Sequence, residues 1–281
     1  MNTKQTKHTC AVCFSDWRNK VIKIYNEDCV SGMKRLSDSS IDLTVTSPPY
    51  DNLRTYNGHA KNFKFEETAQ ELWRVTKQGG VVVWVVSDAT IKGSETGTSF
   101  RQALYFKEIG FRLHDTMIYQ KKGVPYPETT RYYPNFEYMF VLSKGKPKTV
   151  HLIADKKNVW AGQKITGTQR NPDGSLRIKA GAKIGHCYKE YGVRYNVWQY
   201  NVGYTTKNSL RYKHPAIFPL ALAEDHIKSW SNEGDTVLDC FMGSGTTCIA
   251  ANNTGRNFVG FEIDKVYFDL AQQRIKEETT R

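Results

Sequence analysis

Long apolar runs are missing from this 281-residue chain. The longest, Val81 to Val86, is far too short to cross a bilayer, which takes about 20 residues. The opening Met1-Asn2-Thr3-Lys4-Gln5 has no apolar signal core, so a cytoplasmic location without membrane contact is the expectation. Cysteine is also sparse. Six residues, at 10, 13, 29, 187, 240 and 248, include one close pair, which excludes the disulfide framework of a small secreted domain and predicts reduced thiols. Cys10-Ala-Val-Cys13, with His8 nearby, is half of a zinc motif. A structural site needs four ligands and no second pair exists, so no metal is expected. Internal repeats and low-complexity tracts are absent too. What remains has the length and the 39% hydrophobic content of one large α/β domain with a substantial core.

Charge is plentiful but unevenly placed. Of 40 Lys and Arg against 28 Asp and Glu, residues 144–213 hold 15 bases and three acids, leaving 25 of each elsewhere. A neutral body carrying one basic segment is the pattern of a protein that grips a polyanion in one place. The same segment carries Trp160, Tyr188, Tyr191, Tyr195, Trp198, Tyr200, Tyr204 and Tyr212. A merely solvated loop needs no such aromatics, and Lys156, Lys157, Lys164, Arg170, Arg177, Lys179 and Lys183 are therefore candidate nucleic-acid contacts.

Along the chain, residues 1–20 read as a polar tail. Val21 to Tyr25 alternates as a strand does, Cys29 to Leu36 fits a short helix, and Ile41 to Thr46 is a second strand. Phe65 to Thr76 has helical spacing and is stopped by Gly79-Gly80; Val81 to Val86 then reads as a strand buried on both faces. A helix over 100–109 and strands over 114–119 and 138–142 follow. The rhythm stops near Lys144, and 144–213, rich in Gly, Lys and Asn, reads as an inserted recognition module. It resumes with a helix over 219–230, a strand over 236–239, a helix over 246–253, a strand over 258–263 and a final helix. Strand–helix alternation of this kind builds a parallel sheet.

Two motifs carry the chemistry. Thr46-Ser47-Pro48-Pro49-Tyr50 closes the strand over 41–46. Two prolines stiffen the turn and offer carbonyls without competing N–H groups. Ser47 Oγ and the Pro48 carbonyl can accept from an exocyclic amine while Tyr50 stacks on an extruded base. Alone, the motif reads rather as a Pro-Pro turn ending a strand. Its distant partner is Leu238-Asp239-Cys240-Phe241-Met242-Gly243-Ser244-Gly245-Thr246-Thr247, a strand, a tight turn and a helix start. Glycines let backbone N–H groups approach a ligand there. The third Gly of a dinucleotide fingerprint is Cys248 here and the P-loop Lys is missing, so the turn alone is a weak signal. Glu262, at the end of the next strand, is placed to accept from ribose hydroxyls.

With these residues the chain resembles the β class of S-adenosylmethionine-dependent DNA amino-methyltransferases, which modify cytosine N4 or adenine N6. The resemblance runs from Val21 onward in that class's permuted order: Ser-Pro-Pro-Tyr first, the basic region in the middle, the cofactor half last. Arg74 to Gly80, Glu137-Tyr138 leading to Lys144-Gly145, and His214 to Pro219 fit as landmarks. The likeness implies a doubly wound, mostly parallel seven-stranded sheet, a Rossmann-like methyltransferase fold over 21–281 with 144–213 inserted. It implies that Asp239 and the turn Phe241, Gly243, Ser244, Gly245, Thr246 and Thr247 hold the methionine portion of S-adenosyl-L-methionine. Glu262 would bind its ribose and Asp28 would lie near its adenine; Asp28 reads equally as a strand-end turn residue. Double-stranded DNA is the implied partner, and the class also allows a cognate restriction endonuclease and a homodimer.

Ser47, Pro48, Pro49 and Tyr50 would then position the target amine for in-line attack. A cytosine-C5 enzyme would want a Pro-Cys nucleophile, and no cysteine of this chain follows a proline. In the family, Ser at the first motif position leans towards cytosine N4, and Asp or Asn towards adenine N6. Cytosine N4 is the expectation, adenine N6 the alternative. A non-catalytic DNA-binding protein on the same scaffold is a further alternative, against which the intact Ser47, Tyr50, Gly243, Gly245 and Glu262 argue. Methylation of RNA or protein is disfavoured by the basic segment's position.

Overall fold

The structure, a computed structural model, describes residues 11–15, 21–50, 63–123, 129–165, 167–178, 184–201 and 219–279. It divides into two compact units, Met1–His151 with Asn196–Arg281, and Leu152–Tyr195.

The larger unit begins with β1 (Ala11–Ser15), β2 (Val21–Asn26), α1 (Cys29–Met33), β3 (Ile41–Thr46), α2 (Phe65–Val75) and β4 (Thr76–Val86). It continues with a hairpin of β5 (Thr90–Ile91) and β6 (Ser94–Glu95), then α3 (Thr98–Glu108), β7 (Arg112–Lys122) and β8 (Phe136–Ser143). The smaller unit holds β9 (Lys156–Lys157), β10 (Thr168–Arg170), β11 (Leu176–Ile178) and β12 (Tyr191–Gly192). The larger unit resumes with β13 (Val197–Asn201), α4 (Leu220–Trp230), β14 (Thr236–Asp239), α5 (Thr246–Asn253), β15 (Asn257–Glu262) and α6 (Lys265–Thr279).

A nine-stranded sheet runs β1-β2-β15-β14-β3-β4-β8-β7-β13. All strands are parallel except β1 and β8, each antiparallel to its neighbours. The seven strands from β2 to β7 form the expected doubly wound sheet, and β1 and β13 extend it at the two edges. β1 falls in the stretch expected as a polar tail, and β13 in the segment expected as an insertion. Both are short edge strands, whose pairing partners lie outside their own sequence.

The β4 run shows why the sheet is covered on both faces. Val82, Trp84 and Val86 pack into a cluster with Met33, Leu72 and Phe106 from α1, α2 and α3. The alternate residues Val81, Val83 and Val85 are equally buried, so the other face is covered too, by the layer to which α4, α5 and α6 belong. Gly79 and Gly80, expected to stop a helix, lie inside β4. Gly79 sits at φ 80°, and a Cβ on Gly80 would come within 2.9 Å of the Asp42 and Lys77 carbonyls. They serve a close backbone approach where the pairing of β3 with β4 shifts register. Among the described residues, no helix is long and apolar enough to cross a membrane.

In the smaller unit, β10 and β11 form a hairpin closed through Asn171 to Ser175, and β9 pairs with β12. None of its described residues is buried. Val159, Trp160, Leu176, Ile178 and Tyr195 are exposed.

Candidate active site

β3 and β14 are parallel neighbours, with Leu238 opposite Thr44, so both motifs leave the sheet side by side at the carboxyl ends of their strands. Open α/β sheets bind ligands there. A buried hydrogen bond joins the motifs: Thr46 Oγ1 donates to Asp239 Oδ1 at 2.6 Å across 193 residues of sequence. The Phe241 N–H donates to the same oxygen at 3.0 Å. Burial raises the Asp239 carboxyl above its ordinary range, against the pull of hydrogen bonds from Thr46, Thr247 and the Phe241 N–H.

The turn after β14 needs its glycines. Gly243 and Gly245 have φ of 53° and 81°, in the left-handed region. Gly245 caps the N-terminus of α5, and a Cβ there would lie 3.3 Å from the Ala271 Cβ. Arg274 of α6 is buried beneath the turn. Its Nη1 donates to the Ser244 carbonyl at 2.6 Å and to Ser244 Oγ at 2.8 Å, with Thr246 Oγ1 at 3.5 Å. Sequence reasoning missed Arg274, because one arginine in a helix rich in charged residues carries no signal of burial.

Glu262 ends β15 and faces this turn. Its Oε2 accepts from the Gly243 N–H and its Oε1 from the Asp264 N–H, each at 2.8 Å. Burial pushes its carboxyl from 4.5 up to about 7; the two N–H groups oppose this, while Asp264 and Asp239 add to it. Asp28, two residues beyond β2, caps α1 by accepting from the Ser31 N–H at 3.0 Å. Asn26, paired with Glu262 in the sheet, donates to the Glu262 carbonyl at 2.9 Å. Asp239, Glu262 and Asp264 are all buried around one positive-φ turn. This set of acceptors fits a ligand with hydroxyls to donate and net positive charge, as S-adenosylmethionine has.

In the Ser-Pro-Pro-Tyr turn, Pro48 is buried and Ser47, Pro49 and Tyr50 are half-buried. Ser47 Oγ lies 2.9 Å from the Tyr50 hydroxyl. That hydroxyl lies 2.9 Å from Glu137 Oε2 and 3.3 Å from the Val85 carbonyl. Lys121 Nζ pairs with Glu137 Oε1 at 2.7 Å. The Tyr50 ring packs beside the apolar cluster under the sheet, as does Phe241. Phe241 also meets Trp84 edge-on at 6.1 Å.

The candidate DNA contacts belong to the smaller unit. Lys157, Lys164, Arg170 and Arg177 are exposed, while Lys156 is half-exposed, its Nζ 4.3 Å from the centre of the Tyr195 ring. Arg194 pairs with Asp155. Lys179 and Lys183 lie outside the described residues, as do His8, Cys10 and His214 to Phe218.

A strand-ending Ser-Pro-Pro-Tyr and a strand-ending Gly turn thus stand side by side on a doubly wound sheet, joined through Thr46 and Asp239. The model of the DNA methylase family N6_N4_Mtase matches residues 41–273, and the chain belongs to that family. It is 57% identical over 249 residues to the orphan methyltransferase M.BamHII of Bacillus amyloliquefaciens, covering 86% of this chain and 91% of that one. The structure resembles that of M1.HpyAVI in complex with S-adenosylmethionine, with TM-score 0.56, 26% identity, and coverage of 90% and 99% of the two chains. It shares its fold with the PvuII cytosine-N4-specific DNA methyltransferase, with TM-score 0.62, 21% identity, and coverage of 92% and 91%. The chain is thus a DNA methyltransferase of the amino-methylating family, with S-adenosylmethionine as its cofactor.

Proposed function

We propose that this chain methylates cytosine N4 in duplex DNA. The observation that carries this reading is the placement of Ser47, a single hydroxyl at the carboxyl end of β3, beside the Gly turn of β14. S-adenosylmethionine supplies an electrophilic methyl group on a sulfonium. The protein's part is positioning. Ser47 Oγ and the Pro48 carbonyl accept from the exocyclic amine, which draws the nitrogen lone pair out of ring conjugation and aims it at the methyl carbon. Tyr50 offers its ring to the extruded base. Asp239, Phe241 and the turn from Gly243 to Thr247 take the methionine portion, Glu262 the ribose hydroxyls, and Asp28 lies towards the adenine.

The smaller unit, within the expected recognition region 144–213, is read as the DNA-gripping part. Its described lysines and arginines belong to a unit none of whose described residues is buried, with Trp160 and Tyr195 exposed, a composition suited to phosphates and stacked bases rather than to a self-contained core. M.BamHII is named an orphan methyltransferase, and this chain is read likewise as acting without a cognate endonuclease.

The experiment is nucleoside mass spectrometry of duplex DNA treated with the purified protein and labelled S-adenosylmethionine. N4-methylcytosine is expected. N6-methyladenine alone would replace the base while keeping the enzyme class.

A further inference from the structure

The hydroxyl chain behind the catalytic turn has a direction that the distances and the chemistry of its ends determine. A phenol has one proton to donate. Tyr50 faces the Glu137 carboxylate at 2.9 Å and the Val85 carbonyl at 3.3 Å, and both only accept. Once the Tyr50 proton goes to either, the hydrogen between Ser47 and Tyr50 must come from Ser47. The Ser47 oxygen is then left with lone pairs alone for whatever comes before it. A target amine has only hydrogens to offer in the base plane, so this is the polarity that it needs. The reverse polarity would set two donors against each other.

We propose that Glu137 is a positioning residue for methyl transfer, its carboxylate fixing the direction of the Tyr50 and Ser47 hydroxyls so that Ser47 meets the target amine as an acceptor. This rests on the proposed amine methylation. Glu137 is suited to the part. It lies on β8, beside β4 and β7, outside both motifs, and its side chain is 12% exposed, so water competes weakly for it. Its two oxygens have separate tasks, Oε1 to Lys121 at 2.7 Å and Oε2 to Tyr50. Lys121 thereby determines what an amide would do at this position. In Glu137→Gln the ammonium would keep the amide oxygen, turning the NH2 towards Tyr50. The phenol would lose its short acceptor, and Ser47 its fixed orientation.

The test compares single-turnover methylation by wild type, Glu137→Gln, Tyr50→Phe, the double variant Tyr50→Phe/Glu137→Gln, and Lys121→Met/Glu137→Gln, at saturating DNA and cofactor. Glu137→Gln is expected to slow the step roughly ten- to a hundredfold, the range for a hydrogen bond to a charged group, with dissociation constants for DNA and S-adenosylmethionine unchanged within about twofold. The Tyr50→Phe/Glu137→Gln pair should be no slower than Tyr50→Phe alone, because both act through one chain. Lys121→Met should restore part of the Glu137→Gln rate, since the freed amide can turn its oxygen to Tyr50. In the protein without cofactor, the tyrosine 13Cζ resonance that Tyr50→Phe removes should shift in Glu137→Gln. A parental rate for Glu137→Gln, or additive losses with an unmoved Tyr50 resonance, would overturn the proposal. Should Glu137→Gln fail to fold, Glu137→Asp takes its place. Its shorter carboxylate loses Tyr50, and a parental rate would overturn the proposal equally. A wild-type protein that methylates no DNA amine sinks the functional reading instead, and the resonance shift still decides whether the chain exists.

Discussion

On the proposed reading of Glu262 as the ribose-binding residue, cofactor binding should be linked to a proton. Burial holds its carboxyl at about 7 rather than 4.5, so near pH 6 most of the free protein carries a proton there. Ribose hydroxyls donating to this group favour its ionised form, and binding would draw its titration back towards the ordinary value. With the free carboxyl at about 7 and the bound one ionised, affinity should rise by up to about tenfold from pH 6 to pH 8, with up to about 0.9 proton released at pH 6. Titration calorimetry in two buffers of different ionisation enthalpy measures the proton directly. The α-amino group of the ligand titrates near 8, so Glu262→Gln serves as reference. It retains any dependence due to the ligand and should lose the step between pH 6 and 7. The Gln amide also sets an NH2 against one of the two backbone N–H groups that now donate to Glu262, a mismatch costing roughly 1–3 kcal/mol. Equal proton release by wild type and Glu262→Gln would remove this carboxylate from the binding site.

The same carboxyl gives a stability signature in the cofactor-free protein. Its folded titration point is raised, so its contribution is fully present below about 4.5 and is lost as pH rises through about 7, on the order of 3 kcal/mol in all; chemical denaturation of wild type against Glu262→Gln across that window measures it, and parallel curves would refute it. Arg274→Met should destabilise the fold by roughly 1–3 kcal/mol by stranding the Ser244 carbonyl, and should weaken S-adenosylmethionine binding because the Gly turn loses its clamp; unchanged affinity in calorimetry would confine Arg274 to stability. Replacing Lys156, Lys157 and Lys164 with Ala should flatten the salt dependence of DNA affinity by about 0.9 in log–log slope for each phosphate no longer neutralised, leaving cofactor affinity unchanged; a parental slope would place these lysines on a merely solvated face.

The strands that carry the site were legible because each is an apolar run closed by residues with few other uses. Ile41 to Thr46 ends at two prolines, Thr236 to Asp239 at a turn with two glycines, and Asn257 to Glu262 at an acid. The partners that fix the site were not legible. Thr46 meets Asp239, Tyr50 meets Glu137, and Ser244 meets Arg274 over separations of 193, 87 and 30 residues, and no local pattern encodes such pairings. Glu137 was visible as a landmark without a task, because a polar residue at a strand start reads as a solvated end. Gly79-Gly80 misled for a physical reason. Glycines end helices, but they also let neighbouring backbones approach, and only the bulge between β3 and β4 distinguishes the two.

The strand order β2-β15-β14-β3 has a consequence for synthesis. A nascent chain emerging from the ribosome makes β2 and β3 early, yet they never pair with each other. The two strands that fill the gap between them are spelled out only at residues 236–262. Until then both early strands present an unpaired edge to their surroundings, the state in which chains are open to aggregation and to chaperones. Non-local closure of this kind is also slow. The strands that complete the sheet are the ones that bring Asp239 and Glu262, so every product halted before residue 236 lacks the sheet's centre and the proposed cofactor turn together.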